Sequence, residues 1–178
     1  LHVGGGREAF GSGTGIHWHM NIDNKIEFVS TDDKRQTIPY VKFTDRTGQV
    51  KEFVVDGTTP EQIATGERRT MDCLDCHNRP AHTLEPNPER AVDVAIANGS
   101  LPRTLPFTRR EAVAALKDTY ASGDEARRGI EARLTKAFAA HASDASVPRV
   151  IAAVQDIYSR NVFPAMKVTW GTYPNNIG

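Results

Sequence analysis

The two cysteines of the chain, Cys73 and Cys76, stand three positions apart and are followed directly by His77. A Cys-x-x-Cys-His run is the attachment signature of a c-type haem. Two thiols on one helical turn can each add to a vinyl group of the macrocycle, and the next residue can then bind the iron as its proximal ligand. The spacing therefore predicts covalently bound haem c at Cys73 and Cys76, with His77 as an iron ligand.

Two other chemistries use the same residue types. A redox-active Cys-x-x-Cys pair needs a βαβ context, whereas the residues before the motif, Glu67–Thr70, are polar and unlike a buried parallel strand. A zinc site would have to recruit His82, which follows Cys76 too closely for the usual spacing between pairs of ligands. The sequence favours haem over both alternatives.

The second axial position of the iron has several candidate ligands. His17 and His19 alternate with Trp18 in a predicted strand, so both imidazoles face the same side. An iron bound by His77 has one open side, so at most one of the two can bind it. We prefer this pair, and His17 slightly, over the thioether of Met166, because bis-His ligation gives the lower potential that suits a relay among haems.

Other polar residues near the motif are assigned to the haem periphery. Arg68, Arg69 and Arg79 flank the cysteines and are predicted to pair with haem propionates. His82 is predicted to be a metal ligand as well, reaching a neighbouring haem. Spare histidines of this kind are available to close the coordination sphere of a low-spin iron.

The elements that must position these residues change in type along the chain. Apolar residues alternate at period two in three short runs around residues 26, 41 and 53, which predicts a small antiparallel meander over residues 16–55. Pro39 within one run predicts an edge strand or a bulge. Four N-cap signals then precede helical stripes, at Thr59, Asn87, Thr108 and Ser122.

This pattern predicts an α+β fold that is mainly helical. We divide the chain into a Gly-rich loop and β meander (1–57), a haem attachment segment (58–84) and a helical module with a C-terminal loop (85–178), forming one compact haem-containing unit. Leu, Ile, Val and Phe total 38 of the 178 residues, close to the roughly 20% below which chains tend to be disordered. A large apolar macrocycle would supplement so thin a protein core.

The charge balance limits the classes of partner. The chain has 22 Lys and Arg residues against 22 Asp and Glu residues. It therefore lacks the excess positive charge expected of a protein that binds nucleic acid. No apolar run approaches the roughly 18 residues of a membrane-spanning helix.

Four segments of the sequence carry a family resemblance: MDCLDCHNRPAH (71–82), GIHWH (15–19), RQTIP (35–39) and FPAMKVTWGTYPNNIG (163–178). Together they resemble the periplasmic part of NapC/NirT-type multihaem cytochromes c. The resemblance implies a portion of a larger respiratory electron-transfer protein that carries further haems. It also implies other haem domains or cytochromes as partners, and a membrane-anchored, quinol-oxidising part outside this sequence.

The function that we predict is electron transfer between redox partners through covalent haem. Because c-type haem is attached outside the bacterial cytoplasm, we expect a periplasmic, exported location. Two alternatives stay open. One is an enzyme that reduces peroxide or a small nitrogen or sulfur oxide at an open iron, and the other is a structural subunit in which haem staples a helical module.

Overall fold

The computed structural model describes residues 24–76, 78 and 84–173, and of Cys73 only the backbone. These residues fall into two compact units. The first, residues 24–76 and 78, contains a β-sheet and the Cys-x-x-Cys motif. The second, residues 84–173, is helical. The predicted α+β fold, with a small antiparallel sheet followed by helices, is confirmed.

The sheet of the first unit has four strands among the described residues, all antiparallel. They are β1 (Lys25–Ser30), β2 (Tyr40–Thr44), β3 (Val50–Val54) and β4 (Glu67–Thr70), in the order β3-β2-β1-β4. A tight turn joins β2 to β3. In it the Gly48 N–H donates to the Asp45 carbonyl at 3.0 Å, and Gly48 has a φ of +82°, which glycine adopts without strain.

Two expectations for this sheet are wrong. Pro39 lies just ahead of β2, which is a central strand, rather than on an edge. Its carbonyl accepts the Val55 N–H at 2.9 Å, so Pro39 still contributes one hydrogen bond beside β3 although it has no N–H to donate. The meander predicted over residues 16–55 also lacked β4, which pairs with the edge of β1. The sequence of this strand, Glu-Arg-Arg-Thr, carries no apolar alternation that could have predicted it.

The strand register gives the sheet two unlike faces, because successive side chains of a strand point to opposite sides. We call one the apolar face; its apolar residues are Ile26, Phe28, Val41, Phe43, Phe53 and Val55, with Lys51, Glu67 and Arg69 at its margins. We call the other the charged face; its charged residues are Lys25, Glu27, Lys42, Glu52 and Arg68. Phe28 of the apolar face is buried, whereas Phe53 is 59% exposed.

Helix α1 (Pro60–Thr65) connects β3 to β4 and begins as predicted. The Thr59 hydroxyl accepts the Gln62 N–H at 3.2 Å, and the Gln62 side chain accepts the Thr59 N–H at 2.8 Å. This reciprocal pair is a complete capping box. Gly66 is the C-cap of this helix, and β4 begins at the next residue.

The second unit is built from four α-helices among the described residues: α3 (Pro88–Ala97), α4 (Thr108–Lys117), α5 (Gly123–Ala137) and α6 (Ser146–Asn161). Their apolar stripes meet in one core. It includes Ile130, Leu134 and Phe138 at the end of α5, and Val150, Val154, Ile157 and Tyr158 of α6, all buried. The connector at 99–107 contributes Leu101 and Leu105 to the same core. Among the described residues, no helix combines the length and apolar character needed to cross a lipid bilayer.

Two of the three N-caps predicted for this unit are confirmed. The Asn87 and Ser122 side chains accept the N–H groups of Arg90 at 2.9 Å and Glu125 at 3.1 Å. The prediction of a capping box at Thr108 is wrong. Phe107 takes the N-cap position with a φ of +61°, and the Thr108 hydroxyl donates backwards to the Leu105 carbonyl at 2.8 Å.

A close approach in α5 predicts an unusual effect of a glycine substitution. Glycine in a helix interior normally costs about 0.5–1 kcal/mol relative to alanine. A Cβ at Gly129, however, would overlap Cε1 of Tyr120, whose hydroxyl donates to the Ala115 carbonyl at 2.9 Å. Since overpacking costs about 1–3 kcal/mol, we expect Gly129→Ala to destabilise the helical unit by about 1 kcal/mol in urea unfolding.

The matched control is Gly123→Ala, in the first turn of the same helix, where a Cβ would meet nothing within 4 Å. This variant should raise the free energy of unfolding by about 0.4–1 kcal/mol, because alanine restricts the unfolded chain. If both variants were stabilising, Tyr120 would not be packed against Gly129.

Candidate haem attachment site

The cysteine motif lies on a one-turn helix, α2 (Cys73–Cys76), that directly follows β4. The chain leaves the sheet at Met71, whose N–H donates to the Ile26 carbonyl at 2.8 Å. Asp72 then accepts the Leu74 N–H on its carboxylate at 2.8 Å, and its own N–H donates to the Asp75 carboxylate at 2.8 Å. These bonds satisfy amide groups that have no partner within so short a helix.

Asn78 closes the other end of this helix. Its side chain is buried, and its Nδ2 donates to the carbonyls of Leu74 at 3.1 Å and Asp75 at 3.3 Å. Buried polar groups are retained where they are hydrogen-bonded, and this amide satisfies carbonyls that a one-turn helix leaves without internal partners. Asp72 and Asn78 therefore hold the turn from both ends.

Sequence analysis missed both of these residues. Asp72 stands at a position where aspartate is a preferred N-cap, which is a signal that could have identified it. The role of Asn78 has no such signal, because it depends on the burial of the side chain.

The structure brings only part of the predicted site into view. Cys76 lies on α2 and is exposed. His17, His19, His77, Arg79 and His82 lie outside the described residues, as does the side chain of Cys73. Their roles as haem and iron ligands stay predictions. Among the described residues, no group of three or more His, Cys, Asp or Glu side chains could hold a metal ion.

The two neighbouring arginines of β4 point to opposite faces of the sheet. On the charged face, the Arg68 guanidinium lies 5.2 Å from the centroid of the Tyr40 ring. On the apolar face, Arg69 pairs with Asp72 at 3.3 Å and with Glu67 at 4.0 Å. Only Arg69 of the two thus contacts the residues that organise the motif.

The residues present fit a covalently attached haem. Cys73 and Cys76 occupy the first and last positions of a single helical turn, and the Cys76 side chain is exposed and so open to a bulky group. A thioredoxin-like pair would follow a parallel strand, whereas β4 is the antiparallel edge of an all-antiparallel sheet. The local architecture supports the haem interpretation over the redox pair.

We expect the hydrogen bonds from Asn78 to the end of α2 to increase the amount of haem that the chain retains. Asn78→Ala leaves two carbonyls of the turn without their side-chain donor, a loss worth about 1–3 kcal/mol for a buried group. The variant should bind less covalent haem than the parent, measured as haem per chain after maturation.

A matched control is Asn161→Ala in the helical unit. Asn161 is buried too, and its Nδ2 donates to the Ile157 carbonyl at 2.7 Å. This change should lower the thermal stability of the helices without lowering haem content. Equal haem loss in both variants would mean that Asn78 has no specific role at the motif.

Comparison with known proteins finds a similarity to a curated c-type cytochrome, which supports the c-type interpretation of the Cys-x-x-Cys-His run. The relative is the cytochrome c-type protein ImcH of Geobacter sulfurreducens, which is 42% identical over 172 residues. The alignment covers 92% of this chain and 33% of the relative, so the chain spans about a third of the relative's length. No family model and no solved structure matches the chain.

Proposed function

We propose that this chain is the haem-binding, electron-transferring part of a longer, exported multihaem cytochrome of the NapC/NirT type. The observation that carries the proposal is the Cys-x-x-Cys pair on a one-turn helix held at both ends, with His77 as the next residue. The similarity to a c-type cytochrome supports it, and the four resembling segments favour the NapC/NirT subtype.

The motif residues divide the binding of haem between them. Each thiol, of Cys73 and of Cys76, adds its sulfur and its hydrogen across one vinyl group, so a C–S bond forms and no leaving group is needed. His77 would hold the iron through an imidazole nitrogen. The bound haem supplies a one-electron iron(III)/iron(II) couple.

The remaining histidines complete the proposed relay. His17 or His19 would hold this iron as its second protein ligand, and His82 would serve a neighbouring haem. Bis-His ligation lowers the reduction potential relative to His/Met ligation. A low potential suits exchange with other haem domains or cytochromes, and with a membrane quinol-oxidising part, in the periplasm.

The experiment that tests the proposal is the alkaline pyridine haemochrome spectrum of matured protein, with the ratio of haem to chain. We expect a c-type spectrum, stoichiometric haem and no titratable thiol. Two titratable thiols or a Cys73–Cys76 disulfide would contradict it. An oxidised haem that is already high-spin and binds cyanide rapidly would instead support an enzyme with an open iron.

A further inference from the structure

The unit that carries the haem motif has little core of its own. Among its described residues, the buried apolar side chains are Phe28, Val29 and Tyr40, whereas the helical unit buries a continuous apolar cluster. A sheet with one apolar face is stable only when another layer covers that face. Here Phe53 and Val55 of the apolar face are each 59% exposed, so the described residues leave part of that face uncovered.

The apolar face is continuous with the attachment point. The Met71 N–H donates a hydrogen bond to the Ile26 carbonyl, and Ile26 lies opposite Phe43 in the register. The segment that leads into the cysteine helix therefore leaves the sheet next to these two apolar residues. The Arg69 side chain, which belongs to the apolar face, reaches Asp72 at the start of α2. The cysteine helix therefore begins beside this face.

The margin of the face carries charge suited to an anionic group. Lys51 lies on the apolar face of β3, opposite Phe43 in the register. It is exposed and makes no ion pair with any residue that the structure describes. A haem combines a large apolar ring with two carboxylates, and so complements an apolar surface that has a basic residue at its edge.

The charged face does not offer the same combination. Its apolar residues are the buried pair Val29 and Tyr40 and the exposed valines Val50 and Val54. Glu52 lies between the two exposed valines, and Lys42 lies opposite Glu52. Charged side chains are costly to remove from water unless they are paired. An apolar ring would thus be favoured on the apolar face and disfavoured on this one.

We propose that the apolar face of the sheet, centred on Val41, Phe43 and Phe53, is the surface that covers one side of the haem attached at Cys73 and Cys76, with Lys51 beside its carboxylates. This inference rests on the proposed function for the presence of haem. The haem then serves as the missing layer of the sheet, and attachment and folding of this unit are coupled.

The test compares two adjacent residues of β3 that are similarly exposed on opposite faces, Phe53 at 59% and Val54 at 52%. The 178-residue chain is matured with haem as Phe53→Ser and as Val54→Ser, and the Soret circular dichroism and the melting temperature are measured. Phe53→Ser should weaken the Soret dichroism and lower the melting temperature, while Val54→Ser should match the parent. Both variants should keep stoichiometric covalent haem.

A second pair examines the charge. Lys51→Gln should shift the haem midpoint potential downward, because a nearby positive charge favours the reduced iron, and the shift should shrink as salt screens it. Lys42→Gln, on the charged face, should leave the potential near that of the parent. Lys51 is exposed and Lys42 is half-buried, so far-UV circular dichroism verifies that the sheet forms in both variants.

The outcomes separate this inference from the function on which it rests. Parent protein without covalent haem would refute the proposed function, and this inference with it. Stoichiometric haem with equal Soret and melting behaviour in Phe53→Ser and Val54→Ser would overturn this inference alone. So would a loss of stability in Phe53→Ser with an unchanged Soret signal, since polypeptide rather than haem would then cover the face.

Discussion

Replacing both Cys73 and Cys76 with alanine is expected to abolish covalent haem, and either single replacement to reduce its retention severalfold. A single thioether leaves the macrocycle tethered at one point, and α2 is too short to enclose it without that bond. The measurement is haem staining of the denatured chain, together with the pyridine haemochrome ratio. The helical unit should retain its far-UV circular dichroism, because its capped helices and apolar core lie within residues 84–173.

Met71→Ala provides the matched control for this experiment. It removes the neighbouring sulfur side chain but keeps the backbone bond from residue 71 to Ile26. Covalent haem should be unchanged in this variant. If the double alanine variant retained haem through acid acetone extraction, the attachment would not be at these cysteines.

The second large effect concerns the distal ligand. His17→Ala or His19→Ala is expected to convert the ferric haem from low spin to high spin and to open it to small ligands, because loss of the sixth ligand weakens the field at the iron. The measurement is the visible and electron paramagnetic resonance spectrum, followed by titration with cyanide. The prediction rests on the sequence, since both residues lie outside the described part of the chain.

Met166→Ala is expected to leave the spin state unchanged. Met166 lies in a 3-10 turn (Pro164–Met166) of the helical unit and lines an apolar cleft with Ala126 and Ile130 of α5 and Tyr158 of α6. Methionine commonly fills gaps of this kind. His141→Gln is the control among the histidines, because His141 is exposed in the 3-10 turn that follows α5. A high-spin spectrum in Met166→Ala alone would identify a thioether ligand and remove the argument for a low potential.

Features that depend on a few consecutive residues could be predicted from the sequence. The cysteine motif, the capping box at Thr59 and the N-caps at Asn87 and Ser122 are of this kind, since each requires only a fixed spacing. The apolar stripes of α5 and α6 follow equally from helical periodicity. The prediction failed at Thr108, whose hydroxyl bonds to the preceding connector instead of capping α4.

What the tertiary structure decided depends on residues distant in sequence. The polar segment Glu67–Thr70 becomes a strand only because the edge of β1 offers it hydrogen-bond partners. That strand then turns Arg68 and Arg69 to opposite faces, and burial makes Asn78 a clamp on the cysteine helix. The sequence by itself thus determined the predicted site of haem attachment, because attachment needs two thiols and a histidine at local spacing. Which side of the sheet carries the apolar surface beside that attachment was decided by strand register, a long-range property that no short pattern encodes.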